Sequence, residues 1–91
     1  LINCTIESDQ GLCYVDYLTM KNCRLLRTDL AFEYCSHIDA DIVNGIDSVK
    51  NPISGRISAD SIGQLILDPT KIDPRQTTIE TKKQILERKT A

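Results

Sequence analysis

Residues 34–45, YCSHIDADIVNG, gather the side chains best suited to chemistry: Cys35, His37 (the only histidine), Asp39 and Asp41 stand within seven positions. On a helix, His37 and Asp41 are i, i+4 neighbours, a spacing that can hold a metal ion on one face. Two ligands make a weak site, and there is no second histidine to complete one for a transition metal. A Cys35–His37 nucleophile pair would diverge around the same helix. The cluster therefore reads as one helix with an apolar face inward and His37, Asp39 and Asp41 in water, with no metal or catalytic residue assigned. Asp39 and Asp41 would then lie near the helix C-terminus, where the macrodipole disfavours anions. Either the helix ends early, or a basic partner, such as the Lys/Arg-rich C-terminal tail, meets them.

Four cysteines, Cys4, Cys13, Cys23 and Cys35, fall in the first 35 residues. An even count in a short chain predicts two disulfides, in any of three connectivities, each contributing roughly 2–4 kcal/mol. The triplet Asn3-Cys4-Thr5 fits the N-glycosylation pattern, and with paired cysteines it points to a secreted protein or the extracellular face of a membrane. Zinc sites need close ligand pairs, and the cysteines are separated by eight, nine and eleven residues.

Two short stretches resemble known families. SGRISADSIGQLI is similar to the second half of an EF-hand loop and its exiting helix. With Gly55 at the loop's glycine position, Lys50, Pro52 and Ser54 take the first ligand places and Ser61 the last. No carboxylate stands at the first or last ligand position, so the resemblance implies at most a degenerate helix–loop–helix without calcium. TDLAFEYC resembles the immunoglobulin D-x-A-x-Y-x-C strand through Asp29, Ala31 and Cys35. Glu33 occupies the tyrosine position and the chain has no Trp, so an immunoglobulin domain is excluded.

The elements that would carry these residues read as follows. Residues 1–19 predict a β-hairpin: Ile2, Cys4 and Ile6 alternate with polar neighbours, SDQG supplies the turn, and Cys13, Val15 and Tyr17 share a face. Lys21-Asn22 is a second turn candidate, leading to a short strand CRLLR. Thr28 as N-cap and the spacing of Leu30, Ala31, Tyr34, Cys35, Ile38 and Ile42 predict a helix over 29–43, closed by Asn44-Gly45. A second short helix is expected in ADSIGQLIL with Ile62, Leu65 and Ile66 inward, a hairpin around SIG being the competing reading. A third opens at Asp73 with Pro74 at N1 and Gln76 at N3. The sum is a small α+β fold, a disulfide-stapled hairpin or short sheet followed by two or three helices. It forms a single domain over 1–91, disulfide-rich in 1–45 and looser and mainly helical in 46–91. No internal repeat is expected.

Bulk properties narrow the function. The chain has 91 residues, 41% hydrophobic, with net charge −2. That suits one small domain and lacks the basic footprint of a nucleic-acid binder. Residues 1–70 carry −5 and residues 71–91 carry +3. No apolar run reaches the roughly 20 residues of a membrane span. No signal peptide or initiator Met is present, which predicts a processed mature protein or an excised piece of a longer one. No G-x-S-x-G, phosphate-binding Gly loop or H-E-x-x-H occurs, and no enzyme is expected. The reading is a non-enzymatic extracellular protein–protein interaction domain without cofactor, whether a secreted effector or ligand or part of a cell-surface or viral glycoprotein. Tyr14 and Tyr17 are the candidate anchors for a protein partner, with ordinary core packing as the competing role. An intracellular helical adaptor with reduced cysteines and a degenerate EF-hand-like or metal-binding module are the alternatives.

Overall fold

A computed structural model describes residues 1–7 and 12–83, and the backbone of 87–90. The expected α+β fold is replaced by a parallel β-solenoid. Among the described residues there is no α-helix, and the eight strands run β1 (Thr5–Glu7), β2 (Thr19–Leu26), β3 (Ile38–Ile42), β4 (Gly45–Lys50), β5 (Gly55–Ala59), β6 (Ser61–Leu67), β7 (Thr77–Thr81) and β8 (Glu87–Thr90). One sheet has the order β1–β2–β3–β5–β7 and the other β4–β6–β8. Every pairing is parallel. Each strand therefore hydrogen-bonds to one on the next coil: Thr5 faces Arg24, Thr19 faces Asp39, Gly45 faces Ser61 and Gly55 faces Thr77.

The core is a set of stacked columns. Met20, Ala40, Ile57 and Ile79 occupy one column, and Ile46 stacks on Ile62. Alternation within a strand sends neighbours to opposite faces, so Ile38, Ala40 and Ile42 point inward while Asp39 and Asp41 point out. Burial of Leu18, Met20, Cys23 and Leu25 from β2 and its approach, and of Ile62 and Leu65 from β6, closes the same core.

The predicted helix over 29–43 is instead a corner followed by β3. Its apolar stripe is real in composition: Ala31, Cys35, Ile38 and Ile42 are all buried. A spacing of four residues, however, is also two periods of a strand, so the inward positions of β3 imitate one helix face. The second predicted helix is β6, in which Ile62 and Leu65 are buried and Ile66 is half-buried. For the third, the start is right: the Asp73 side chain caps Arg75 N and Pro74 takes the first turn. The turn ends after Gln76, and the β-branched run Thr77-Thr78-Ile79 pairs in register with β5. Residues 84–86 of that predicted helix lie outside the described residues.

The N-terminal hairpin is also corrected. β1 pairs in parallel with β2, on the next coil, and Ile2 bridges Lys21. The SDQG turn lies outside the described residues. Cys13 and Val15 are half-buried, but Tyr17 points outward. The turn expected at Lys21-Asn22 is a register shift inside β2, with Asn22 at φ 54°. Of the expected strand CRLLR, Cys23 to Leu26 belong to β2, and Arg27 lies just beyond its end.

Polar side chains hold the corners between strands. Asn44 Oδ1 accepts from Leu25 N (3.1 Å) and its Nδ2 donates to Leu25 O (2.7 Å), replacing a backbone partner. The buried Asn51 donates its backbone N–H to Ile66 O (2.8 Å), accepts from Tyr34 N (3.0 Å), and through Oδ1 accepts from Asp68 N (2.8 Å). Its buried Nδ2 has no partner among the described residues. Gly55, at φ 118°, is required by contact: a Cβ there would sit 2.1 Å from Ile38 O on the adjacent coil.

Candidate aromatic binding surface

Tyr14 and Tyr17, the expected anchors, lie on one edge of the solenoid and are 73% and 74% exposed. The structure adds two residues from the next coil. Tyr34 lies against Tyr14, with ring centroids 5.4 Å apart and planes tilted by 31°. His37 stacks on Tyr17 at 4.2 Å with planes 3° apart. Backbone bonds between the coils position both pairs: Tyr14 N donates to Glu33 O, Tyr17 N to Ser36 O, and Ser36 N to Val15 O.

All four residues have left-handed backbones, at φ 58°, 57°, 54° and 49° for Tyr14, Tyr17, Tyr34 and His37. For bulky side chains this region is disfavoured by roughly 1–2 kcal/mol. Asn relieves that penalty because it tolerates the conformation, and Asn3, Asn22 and Asn51 fill other left-handed positions of this chain. At the aromatic edge large rings stand where Asn would fit more easily. Stacked aromatic pairs return about 0.5–1.5 kcal/mol, so stacking offsets much of the strain.

Asp16 organises the Tyr17–His37 pair. Its Oδ1 accepts from Ser36 Oγ (2.6 Å) and Tyr17 N (3.0 Å) and lies 2.7 Å from His37 Nδ1. The hydrogen bonds from Ser36 and His37 hold its carboxyl below the usual carboxylate range. The imidazole is thereby oriented from one side, but Ser36 Oγ bonds to the carboxylate, so no Ser–His nucleophile pair is assembled.

The other candidates separate. His37 and Asp41, expected as helical neighbours, belong to different clusters. Asp39 and Asp41 project from the outer face of β3 between Lys21 and Arg56: Lys21 Nζ lies 2.9 and 3.3 Å from the two carboxylates, and Arg56 Nη2 lies 2.8 and 2.7 Å from them. The basic partner sought for these aspartates is thus supplied by β2 and β5. No group of three or more His, Cys, Asp or Glu that could hold a metal occurs among the described residues.

Cys4, Cys13, Cys23 and Cys35 are all free, which overturns the predicted disulfides and the disulfide-stapled architecture. Cys23 and Cys35 are buried and act as small apolar fillers, and burial pushes the Cys35 thiol up. With the bridges gone, the pairing argument for secretion lapses. Asn3 is exposed at φ 54°, and its Oδ1 accepts from Asn22 Nδ2 at 2.7 Å. A hollow of about 670 Å³ is lined by residues 69–75, where Asp73 engages Arg75 through both carboxylate oxygens.

Tyr14 and Tyr17 stood out in the sequence as candidate anchors, whereas nothing local marked Tyr34, His37 and Asp16 as their neighbours. The signal was present as a repeat. Asn3-Cys4 recurs as Asn22-Cys23, and Tyr14 recurs as Tyr34, at offsets of nineteen and twenty residues. Those offsets match the coil spacing in which Thr5 faces Arg24 and Thr19 faces Asp39.

Among the described residues no helix is long and apolar enough to cross a membrane. Residues 1–80 match a family model described as "Protein of unknown function (DUF3737)". No curated protein and no solved structure matches the chain.

Proposed function

The chain belongs to the DUF3737 family, and we propose that it is a non-enzymatic protein-binding module, a β-solenoid that offers its aromatic edge to another protein. The observation that carries this reading is the placement of Tyr14 and Tyr17, 73% and 74% exposed, on left-handed corners braced by Tyr34 and His37. Tyrosine is enriched among the residues that dominate binding energy at protein interfaces. A ring already held by stacking and by a strained backbone loses little freedom on binding, so less of the contact energy is spent on ordering it. Two exposed rings three positions apart suit recognition of a short segment.

A random peptide library displayed on phage and selected against the wild-type chain tests this, with counter-selection on Tyr14→Asn/Tyr17→Asn. Asn fits the left-handed corners, so the double variant keeps the fold. Support would be peptides that bind the wild type and lose at least about tenfold on the variant, the change expected when a central tyrosine anchor is removed. Peptide binding indifferent to both substitutions would refute the assignment of the surface.

A further inference from the structure

We infer that the segment recognised by the aromatic edge is basic and that arginine is its anchoring side chain; this rests on the protein-binding reading above. The first twenty residues carry Glu7, Asp9 and Asp16 and not one Lys or Arg. Glu7 is neutralised from the next coil by Arg27. Asp16 is not neutralised in that way: among the described residues its partners are Ser36, His37 and the backbone of Tyr17, with no Lys or Arg in ion-pair range. Asp39 and Asp41 share Lys21 and Arg56, Glu33 meets Lys50, and Asp60 meets Lys83. Asp29, Asp47 and Asp68 likewise have no Lys or Arg in ion-pair range among the described residues, but Asp16 alone of these four adjoins an exposed tyrosine in the chain.

The geometry at Asp16 favours one kind of cation. Among the described residues all three donors converge on Oδ1, which leaves Oδ2 to accept from a ligand. The carboxyl is held in its charged form by those bonds. Tyr17, the adjacent residue, has one ring face against His37 and is 74% exposed. A guanidinium can fork to a carboxylate with its edge while its plane lies on an aromatic ring. A lysine ammonium is a point charge and makes only one of these contacts well.

The test uses the chain's own fluorescence. All three tyrosines, Tyr14, Tyr17 and Tyr34, lie on this edge and there is no Trp, so intrinsic emission reports the site directly. The probes are acetyl-(Arg-Gly)3-amide, its lysine counterpart and its citrulline counterpart, which keeps the shape of arginine without the charge. Saturable change with the arginine probe is expected, weaker with lysine. It should fall by about tenfold or more with citrulline or with Asp16→Asn, as loss of a charge-assisted hydrogen bond implies. Asp47→Asn on β4 is expected to leave it unchanged. Equal response to the citrulline probe, an equal response to a neutral oligosaccharide, or no loss in Asp16→Asn overturns the inference. Library peptides that need the tyrosines but carry no basic residue would overturn it while leaving the protein-binding reading in place; failure to recover any tyrosine-dependent peptide removes both.

Discussion

Asp39 and Asp41 show how neighbouring coils set the state of single residues. Hydrogen bonds from Lys21 and then Arg56 hold Asp39 below the usual carboxylate range, and Arg56 foremost does the same for Asp41. A carboxylate whose folded pKa is depressed adds stability that is present above its unfolded value, near 3.9, and is lost as pH falls through the folded value. Thermal melting followed from pH 7 to pH 2 should therefore show an acid limb below about pH 4. Asp39→Asn/Asp41→Asn should lower the melting temperature at pH 7 and flatten that limb, since among the described residues the double variant takes from Lys21 both of its carboxylates and leaves Arg56 only Glu80, at 3.9 Å. The pairs are about half exposed, so 0.5 M salt should shrink the difference. An acid limb unchanged in the variant would contradict this account. At the aromatic edge, Tyr17→Asn exchanges ring stacking for backbone relief, two effects of about 1 kcal/mol and opposite sign. Urea unfolding of that variant should give a midpoint free energy within about 1 kcal/mol of wild type.

Strands in this chain are defined by what stacks above and below them. Gly55 opens β5 at a point where the carbonyl of Ile38 approaches so closely that no side chain fits. Gly55→Ala should destabilise by about 3 kcal/mol or more, since strain at positive φ and overpacking each contribute 1–3 kcal/mol. Chemical denaturation measures this directly, and a loss under 1 kcal/mol would show that the coils separate readily there. The same dependence explains which elements were legible. CRLL announced part of β2, and the cap at Asp73 announced the start of the third predicted helix but not its end after one 3-10 turn. Ile38 and Ile42 misled because their spacing satisfies both a helix and a strand. Ala40, inward between them, decides for the strand. Ala is neutral enough in a helix that its position raised no objection there.

At the scale of the molecule, cohesion comes from parallel stacking, with no cross-links. The four thiols are free. Denatured protein alkylated without reductant should therefore gain four labels by mass spectrometry. Strong reductant should move the melting temperature by less than about 2 °C, well inside the 4–8 °C that a 1 kcal/mol change produces in a domain of this size. Fewer than four labels in freshly purified protein would contradict the free-thiol assignment. Such a solenoid joins residues sixteen or more positions apart at every strand pair, and each coil buries its apolar edge only when the next is in place.

From the sequence by itself came the aliphatic residues that fill the core and the strand character of CRLL within β2. The repeat of Asn-Cys and Tyr was present too, but it carries meaning only once a coil length is known. The tertiary structure decided the rest: strands in place of helices, free thiols in place of bridges, and the joining of Tyr34, His37 and Asp16 to Tyr14 and Tyr17. The physical reason is that parallel pairing is wholly non-local. A strand's hydrogen-bond partner, the counter-charge of Asp39, and the ring that stacks on Tyr17 all lie a coil away, beyond the reach of local pattern.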